Sequence, residues 1–378
     1  MIIIVTGAIG RLPVGGSAWA HLQYLVGLSL LGHDVYYLEE CGEGSWVYDW
    51  QTEQITTDLA YPTDYVRRCL MPFGLDGRWI YRAGDCSVGM PLEDFRAICA
   101  KADLLIVHGW TLASWRPEYA RPHRRIHVDL DPGFTQFRAA AGDRELKDML
   151  ARCERHFTIG QRLGAPDCPI PTLGYDWLPT VPPVCLAHWP VADSRASEFT
   201  TLMQWQSYQD FEFDGVRYGN KSGEFAQFMD VPSSTRQPIR VALSGGQPAE
   251  LAKFAWKVDV GWKVSFTPSD YHRFVSRSRA EFAVAKHGYV ATRGGWFSDR
   301  SACYLAAGRP VLVQDTGLAD WLPVGEGVLT FATFEQALAG IEKINADYRR
   351  HRRAARALAE RVFATDRVLP DLLARAMD

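Results

Sequence analysis

Residues 281–317 read EFAVAKHGYVATRGGWFSDRSACYLAAGRPVLVQDTG, and the fold turns on this stretch. An apolar run at 282–285 leads into a polar turn carrying Lys286 and His287. A glycine pair, Gly294 and Gly295, precedes Ser298-Asp299-Arg300-Ser301, which opens a helical pattern ending at Gly308. A second apolar run, 310–313, enters Gln314-Asp315-Thr316-Gly317. Ser298 is placed as an N-cap whose hydroxyl accepts from an amide of the first turn, and glycine commonly follows a helix end. Strand, turn, helix and strand make one βαβ unit, whose loops lie on the edge where open α/β sheets bind ligands.

The start of that helix is also where an anion would sit. Free amides and the positive end of the helix dipole combine there with Arg300, and with Lys286 and Arg293 on the preceding loops, as a seat for a diphosphate. Ordinary capping with surface arginines explains the same residues taken alone.

Working outward, a chain of 378 residues is too long for one small core and suggests two domains. Apolar residues make up 47% of it, enough for a core in each. A net charge of −3 with interspersed signs gives no electrostatic case for nucleic acid or an anionic membrane, and the arginine run at 349–356 falls on a helical pattern as a solvated face. The eight cysteines show no C-x-x-C pair and no zinc spacing, so they read as reduced thiols in a cytoplasmic protein. The chain starts directly on a strand rather than a signal peptide, and no segment is apolar for long enough to span a bilayer. Peripheral contact with a membrane-bound acceptor is left open.

Residues 2–5 form a β-branched run, read as a buried parallel strand, and a glycine-rich loop, a helix over 18–31 and a strand over 34–38 follow. The loop imitates a dinucleotide fingerprint, but the third glycine needed for close helix packing falls on Pro13, which argues against an oxidoreductase. Residues 39–90 are irregular, apart from a short helix near 61–70, and read as insertions that shape an acceptor site. Regular pattern resumes with a helix near 92–102 and strands at 104–107, 125–130 and 156–159. His108, Asp129 and Asp131 therefore fall at carboxyl ends of parallel strands. The proline-rich stretch 166–190 reads as a linker. Strands at 199–203 and 239–243 follow, the second ending in Ser244-Gly245-Gly246; a helix is expected at 271–279, and two more at 333–350 and from 354 onward.

The stretch 281–317 and the tail TFEQALAGIEKINADYRRHRRAARALAERVF resemble the donor-binding half of bacterial GT-B glycosyltransferases, which use nucleotide-activated sugars. The likeness runs from about residue 199 to the end and is patchy before it, where it rests on Gly15-Gly16, the following helix and HVDLDPGFTQ. The resemblance implies two Rossmann-like domains facing a cleft: an acceptor domain at 1–190, a donor domain at 191–355, and a last helix, 356–378, crossing back to the first. It places Ser298, Asp299, Arg300 and Ser301 at the diphosphate with Lys286 and Arg293, Asp315 and Thr316 on a sugar-facing loop, and Gly16, Ser244 and Gly245 against the donor. The expected activity is hexosyl transfer from a nucleoside-diphosphate sugar, with a uridine nucleotide favoured, no cofactor and no metal. VDLD imitates a metal-binding Asp-x-Asp, but the basic helix start already supplies positive charge.

Stabilising the leaving diphosphate requires preorganised cations and amides, and an inverting transfer also requires a base within hydrogen-bond reach of the acceptor. Asp131 and His108 are the candidate bases. Retaining relatives often carry two glutamates eight positions apart, which here fall on Gly295 and Cys303, so inversion is favoured. Glu281 is another carboxylate in reach. A protein that binds nucleotide sugars or glycans without transferring them is the alternative.

Overall fold

The computed structural model describes residues 1–192, 196–205, 210–246 and 248–378. Residues 206–209, part of the aromatic stretch after the strand at Phe199–Gln204, lie outside them.

Two largely parallel sheets carry the chain. The first has eight strands in the order Trp177–Pro179, Arg155–Thr158, Arg124–Asp129, Leu104–His108, Ile2–Thr6, Asp34–Glu40, Trp79–Ala83 and Cys86–Gly89, only the last pair being antiparallel. The second has six parallel strands in the order Lys257–Val260, Ile239–Ser244, Phe199–Gln204, Ala280–Ala283, Val311–Gln314 and Val328–Phe331. Ile3, Ile4 and Val5 are wholly buried, as befits a strand covered on both faces. In each sheet the strand order reverses next to the founding strand, between Ile2–Thr6 and Leu104–His108 and between Phe199–Gln204 and Ala280–Ala283. Such reversals leave a crevice at the strands' carboxyl ends. Residues at and beyond those ends line one cavity between the two sheets.

The helix Gly15–Leu30 joins the halves. A Cβ on Gly15 would lie 2.2 Å from the Thr267 carbonyl oxygen, and one on Gly27 would lie 2.6 Å from Leu369 Cδ1, so two glycines let two other helices approach closely. These are Pro268–Ser276 of the second half and Thr365–Met377 at the end of the chain. Trp19 Nε1 donates to the Pro268 carbonyl at 2.9 Å, and the Tyr65 hydroxyl to that of Phe266 at 2.6 Å. One apolar cluster runs across this seam, from Ile3 and Leu22 to Tyr271 and Leu369. After a π-helical turn at Ala359–Phe363 the last helix crosses back, and beside it the Val184 amide donates to the Phe363 carbonyl at 2.6 Å and the Thr365 amide to that of Val184 at 3.1 Å.

Four local expectations are corrected. The stretch 166–190 is not all linker, because Trp177–Pro179 pairs with Arg155–Thr158 as an edge strand, a place where a terminal proline loses no ladder bond. Within 39–90, Trp79–Ala83 and Cys86–Gly89 extend the first sheet as a hairpin. The turn after 283 contains a short helix, His287–Thr292. The tail is three helices, Phe334–Ala346, Tyr348–Leu358 and Thr365–Met377, because Asp347 caps a new start through a bond from the Arg350 amide. Among the described residues no helix is long and apolar enough to cross a membrane.

Candidate active site

The cavity between the sheets measures about 300 Å³. On its second-half wall Ser298 has extended backbone angles, and its Oγ accepts from the Arg300 amide at 3.2 Å, which is the expected N-cap. Asp299 Oδ1 accepts from the same amide at 2.8 Å. The Arg300 guanidinium is anchored from behind: Nε donates to Glu281 Oε1 at 2.5 Å and Nη1 to the Leu202 carbonyl at 3.0 Å. Glu281 is fully buried, so the arginine is held by a carboxylate water cannot reach, and it presents its remaining donors from a fixed position.

Lys221 opens the short helix Lys221–Phe225 and lines the same cavity. Burial, then the charges of Arg300 and Lys286, hold its ammonium well below its ordinary pKa. Three cations, Lys221, Lys286 and Arg300, thus line one cavity, an arrangement suited to an anion. The sequence reading missed it, because Lys221 stands in an irregular glycine-rich stretch and acquires meaning only from strand ends distant in the chain.

Lys286 reaches across the cleft. Its Nζ lies 3.0 Å from Asp131 Oδ1, and the Tyr289 hydroxyl donates to the same carboxylate. Tyr289 stacks on Trp296 with centroids 4.1 Å apart, and Lys286 lies 4.9 Å over the Phe134 ring. Asp131 is therefore an acceptor gripped from the opposite half. Its neighbour Asp129 is fully buried and accepts from Thr135 Oγ1 at 2.5 Å, Gln136 Nε2 at 3.0 Å and Thr158 Oγ1 at 2.9 Å, which fixes the 131–136 turn. The two carboxylates of VDLD thus have different partners.

His108 ends its strand fully within the protein, Nδ1 to Nδ1 at 2.8 Å from His21. The Ala8 amide donates to His21 Nε2 at 3.1 Å, so a neutral His21 carries its proton on Nδ1 and gives it to His108 Nδ1. His108 must then bear its own proton on Nε2, an atom without a partner among the described residues. Burial, then the charge of Arg11, holds His21 down to about 3; burial, then His21 and His127, holds His108 well below its ordinary value. Both rings are neutral in ordinary buffers. Sequence reading expects His108 as a base; in this hydrogen-bond arrangement its Nε2 is placed as a donor. The Tyr24 hydroxyl, also without a partner among the described residues, belongs to a ring 4.2 Å from that of His108, and both residues line the cavity.

The structure brings Gly16, His108, Asp131, Lys286, Ser298, Asp299 and Arg300 to the cavity wall and leaves the other expected residues away from it. Arg293 has a left-handed backbone, is half exposed and pairs with Asp315 at 3.0 Å. Asp315 also accepts the Gly317 and Leu318 amides, and the Thr316 hydroxyl donates to the Trp296 carbonyl at 2.6 Å, so that loop is tied up in its own turn. Ser301 is buried, and it, Ser244 and Gly245 are not among the residues lining the cavity. Gly16 lies beneath Tyr271, where a Cβ would meet the ring at 3.1 Å, so its role is close helix packing as much as lining.

The loop after the first strand shows why a dinucleotide would find no seat there. Its successive amides are engaged: Ala8 with His21, Ile9 with the Tyr37 hydroxyl at 2.9 Å, and Gly10 and Arg11 with the buried Glu39 carboxylate at 2.9 and 2.7 Å. A phosphate there would also face Glu39.

Comparisons with solved structures match the whole architecture. An alpha-glucosyltransferase in complex with UDP aligns at a TM-score of 0.57 with 12% identity over 100% of both chains. Sucrose-phosphate synthase from Thermosynechococcus elongatus aligns at 0.57 with 14% identity over 99% of this chain and 98% of that one. This is the GT-B fold. HepE from Anabaena, in complex with UDP, is a further GT-B neighbour at 0.56 and 9% identity, covering 99% and 98%. Residues 228–369, most of the second GT-B half, match the family described as glycosyl transferase-like. No curated protein matches the sequence. An alpha-glucosyltransferase is also known bound to UDP and a 13-mer DNA, at a TM-score of 0.58, 13% identity and full coverage of both chains. GT-B architecture therefore does not itself exclude nucleic acid, and that expectation rests only on this chain's near-neutral charge.

Proposed function

We propose that this GT-B protein transfers a sugar, a hexose, from a nucleoside diphosphate, with UDP the favoured carrier, to an acceptor held against the first half. The observation that carries the reading is the convergence of Lys221, Lys286 and Arg300 with the Ser298 helix start on one cavity between the halves. The family match of the second half and the UDP carried by two neighbours support it.

In this reading Lys221 and Arg300 face the diphosphate and stabilise the charge that develops on it as the glycosidic bond breaks. Lys286 is shared between the incoming phosphate and Asp131. As the phosphate draws Lys286 towards itself, Asp131 is released to take the acceptor proton, which is the role an inverting transfer needs. His108, with its proton on Nε2, donates to an oxygen of the bound sugar or acceptor.

Isothermal titration with UDP, GDP, ADP and dTDP tests the seat. UDP is expected to bind, and Lys221→Ala to weaken it roughly 10- to 100-fold, the scale of a lost charge-assisted hydrogen bond. Unchanged affinity in that variant would remove the seat. UDP binding without turnover of any UDP-sugar, even to water, would favour the binding-only alternative.

A further inference from the structure

A second cavity lies outside the transfer site. It measures about 810 Å³ and opens where the first half's helix Ala60–Leu70 and turn Met71–Phe73 face the helix Pro268–Ser276 of the second. Its floor is aromatic: Trp19, Tyr65, Phe73 and Phe266. The polar atoms of that floor are already satisfied across the seam, Trp19 Nε1 by the Pro268 carbonyl and the Tyr65 hydroxyl by that of Phe266. What remains exposed is ring and carbon, a surface that gains from an apolar occupant.

Its rim is charged with one sign. Arg68, Arg273 and Arg277 line the cavity, and no aspartate or glutamate does. Arg68 shares the carboxylate of Asp64 with Arg67, and Arg273 pairs with Asp270, each one turn back along its own helix. Arg277 has no carboxylate partner among the described residues. Three guanidiniums thus line an aromatic trough, two of them paired with carboxylates outside its lining, and a diffuse anion is drawn to such a rim.

We propose that this cavity binds a single-chain amphiphile with an anionic head, an alkyl or prenyl phosphate, its chain on the Trp19–Phe73–Phe266 floor and its phosphate on Arg277 and Arg68. Because the ligand touches both halves at once, it holds them in the arrangement seen here. The inference is independent of the transfer activity.

Titration of the whole protein with decyl phosphate below its micelle concentration, followed by calorimetry, tests it. Decyl phosphate is expected to bind at least tenfold more tightly than either decyl maltoside or inorganic phosphate. Arg277→Ala, an exposed position whose loss leaves the fold intact, is expected to weaken it by about tenfold and to leave UDP affinity unchanged. Phe73→Ser is expected to weaken it likewise. Equal binding of decyl maltoside would overturn the anionic head, equal binding of inorganic phosphate would overturn the chain, and full decyl phosphate affinity in both variants would overturn the location.

Discussion

The Nδ1 atoms of His21 and His108 lie 2.8 Å apart, and only one of them can hold the proton between them. Because the Ala8 amide occupies the far nitrogen of His21, the pair is locked with the His108 proton on Nε2. Nitrogen-15 spectra of the imidazoles are expected to show His108 neutral and Nε2-protonated from pH 5 to 8. His21→Ala is expected to let His108 populate both tautomers and to lower kcat more than it changes KM for the donor. A His108 that titrates near 6.5 in the wild-type protein would contradict the lock.

Burial of neutral histidines also sets an acid limit on stability. His21 and His127 are each held to about 3, in both cases chiefly by burial, and His108 lies well below its ordinary value. The unfolded chain takes up protons below about 6.5 that the folded chain refuses, so stability rises with pH across that range. Three such groups give a slope of up to about 4 kcal/mol per pH unit below pH 6, flattening above 7. Urea unfolding at half-unit intervals from pH 4.5 to 8 measures it, and His127→Phe is expected to remove about one proton from the slope.

Arg300→Ala tests more than ligand binding. It strands the Glu281 carboxylate, fully buried and bonded to Arg300 Nε at 2.5 Å, and is expected to destabilise the fold by about 3–5 kcal/mol. Arg300→Met combined with Glu281→Gln is expected to recover most of that stability while UDP affinity stays low. Thermal melts read beside UDP titrations separate the two effects.

Lys221→Met is expected to behave in the opposite way. It removes an ammonium crowded by Arg300 and Lys286, so the ligand-free protein keeps or raises its melting temperature while UDP affinity falls at least about tenfold. A clear drop in the ligand-free melting temperature would mean that Lys221 serves the fold.

Neighbouring glycines are expected to differ sharply. Gly15→Ala drives a methyl to 2.2 Å from the Thr267 backbone, which has no room to retreat, whereas Gly16→Ala meets the edge of the Tyr271 ring at 3.1 Å. The first is expected to cost about 2–3 kcal/mol and the second under about 1 kcal/mol. Denaturant midpoints of the two variants make the comparison.

What could be read from the sequence was what neighbouring residues decide among themselves. Ser298 as a cap, the apolar strands around it and the arrival of Lys286, Asp131 and His108 at strand ends follow from local pattern and from one rule of α/β sheets. Arg293 and Asp315 could not be read so far, because a basic and an acidic residue on two loops look the same whether they face a ligand or pair with each other, as they do here at 3.0 Å. His21 stayed hidden on an otherwise apolar helix, where a histidine reads as core, and its partner stands 87 positions away. The hairpin of Trp79–Ala83 and Cys86–Gly89 escaped because a strand paired in part at a sheet edge has no long apolar run to announce it.

The chain passes between its halves twice, once after the first sheet and once before the last helix, and the two passages are stitched together where Val184 meets Phe363 and Thr365. A single connector would let the halves swivel in any direction, but two bonded side by side act as the spine of a book. Any separation of the halves would be guided by that spine, and the gap from Lys286 to Asp131, 3.0 Å here, is the distance that would report it.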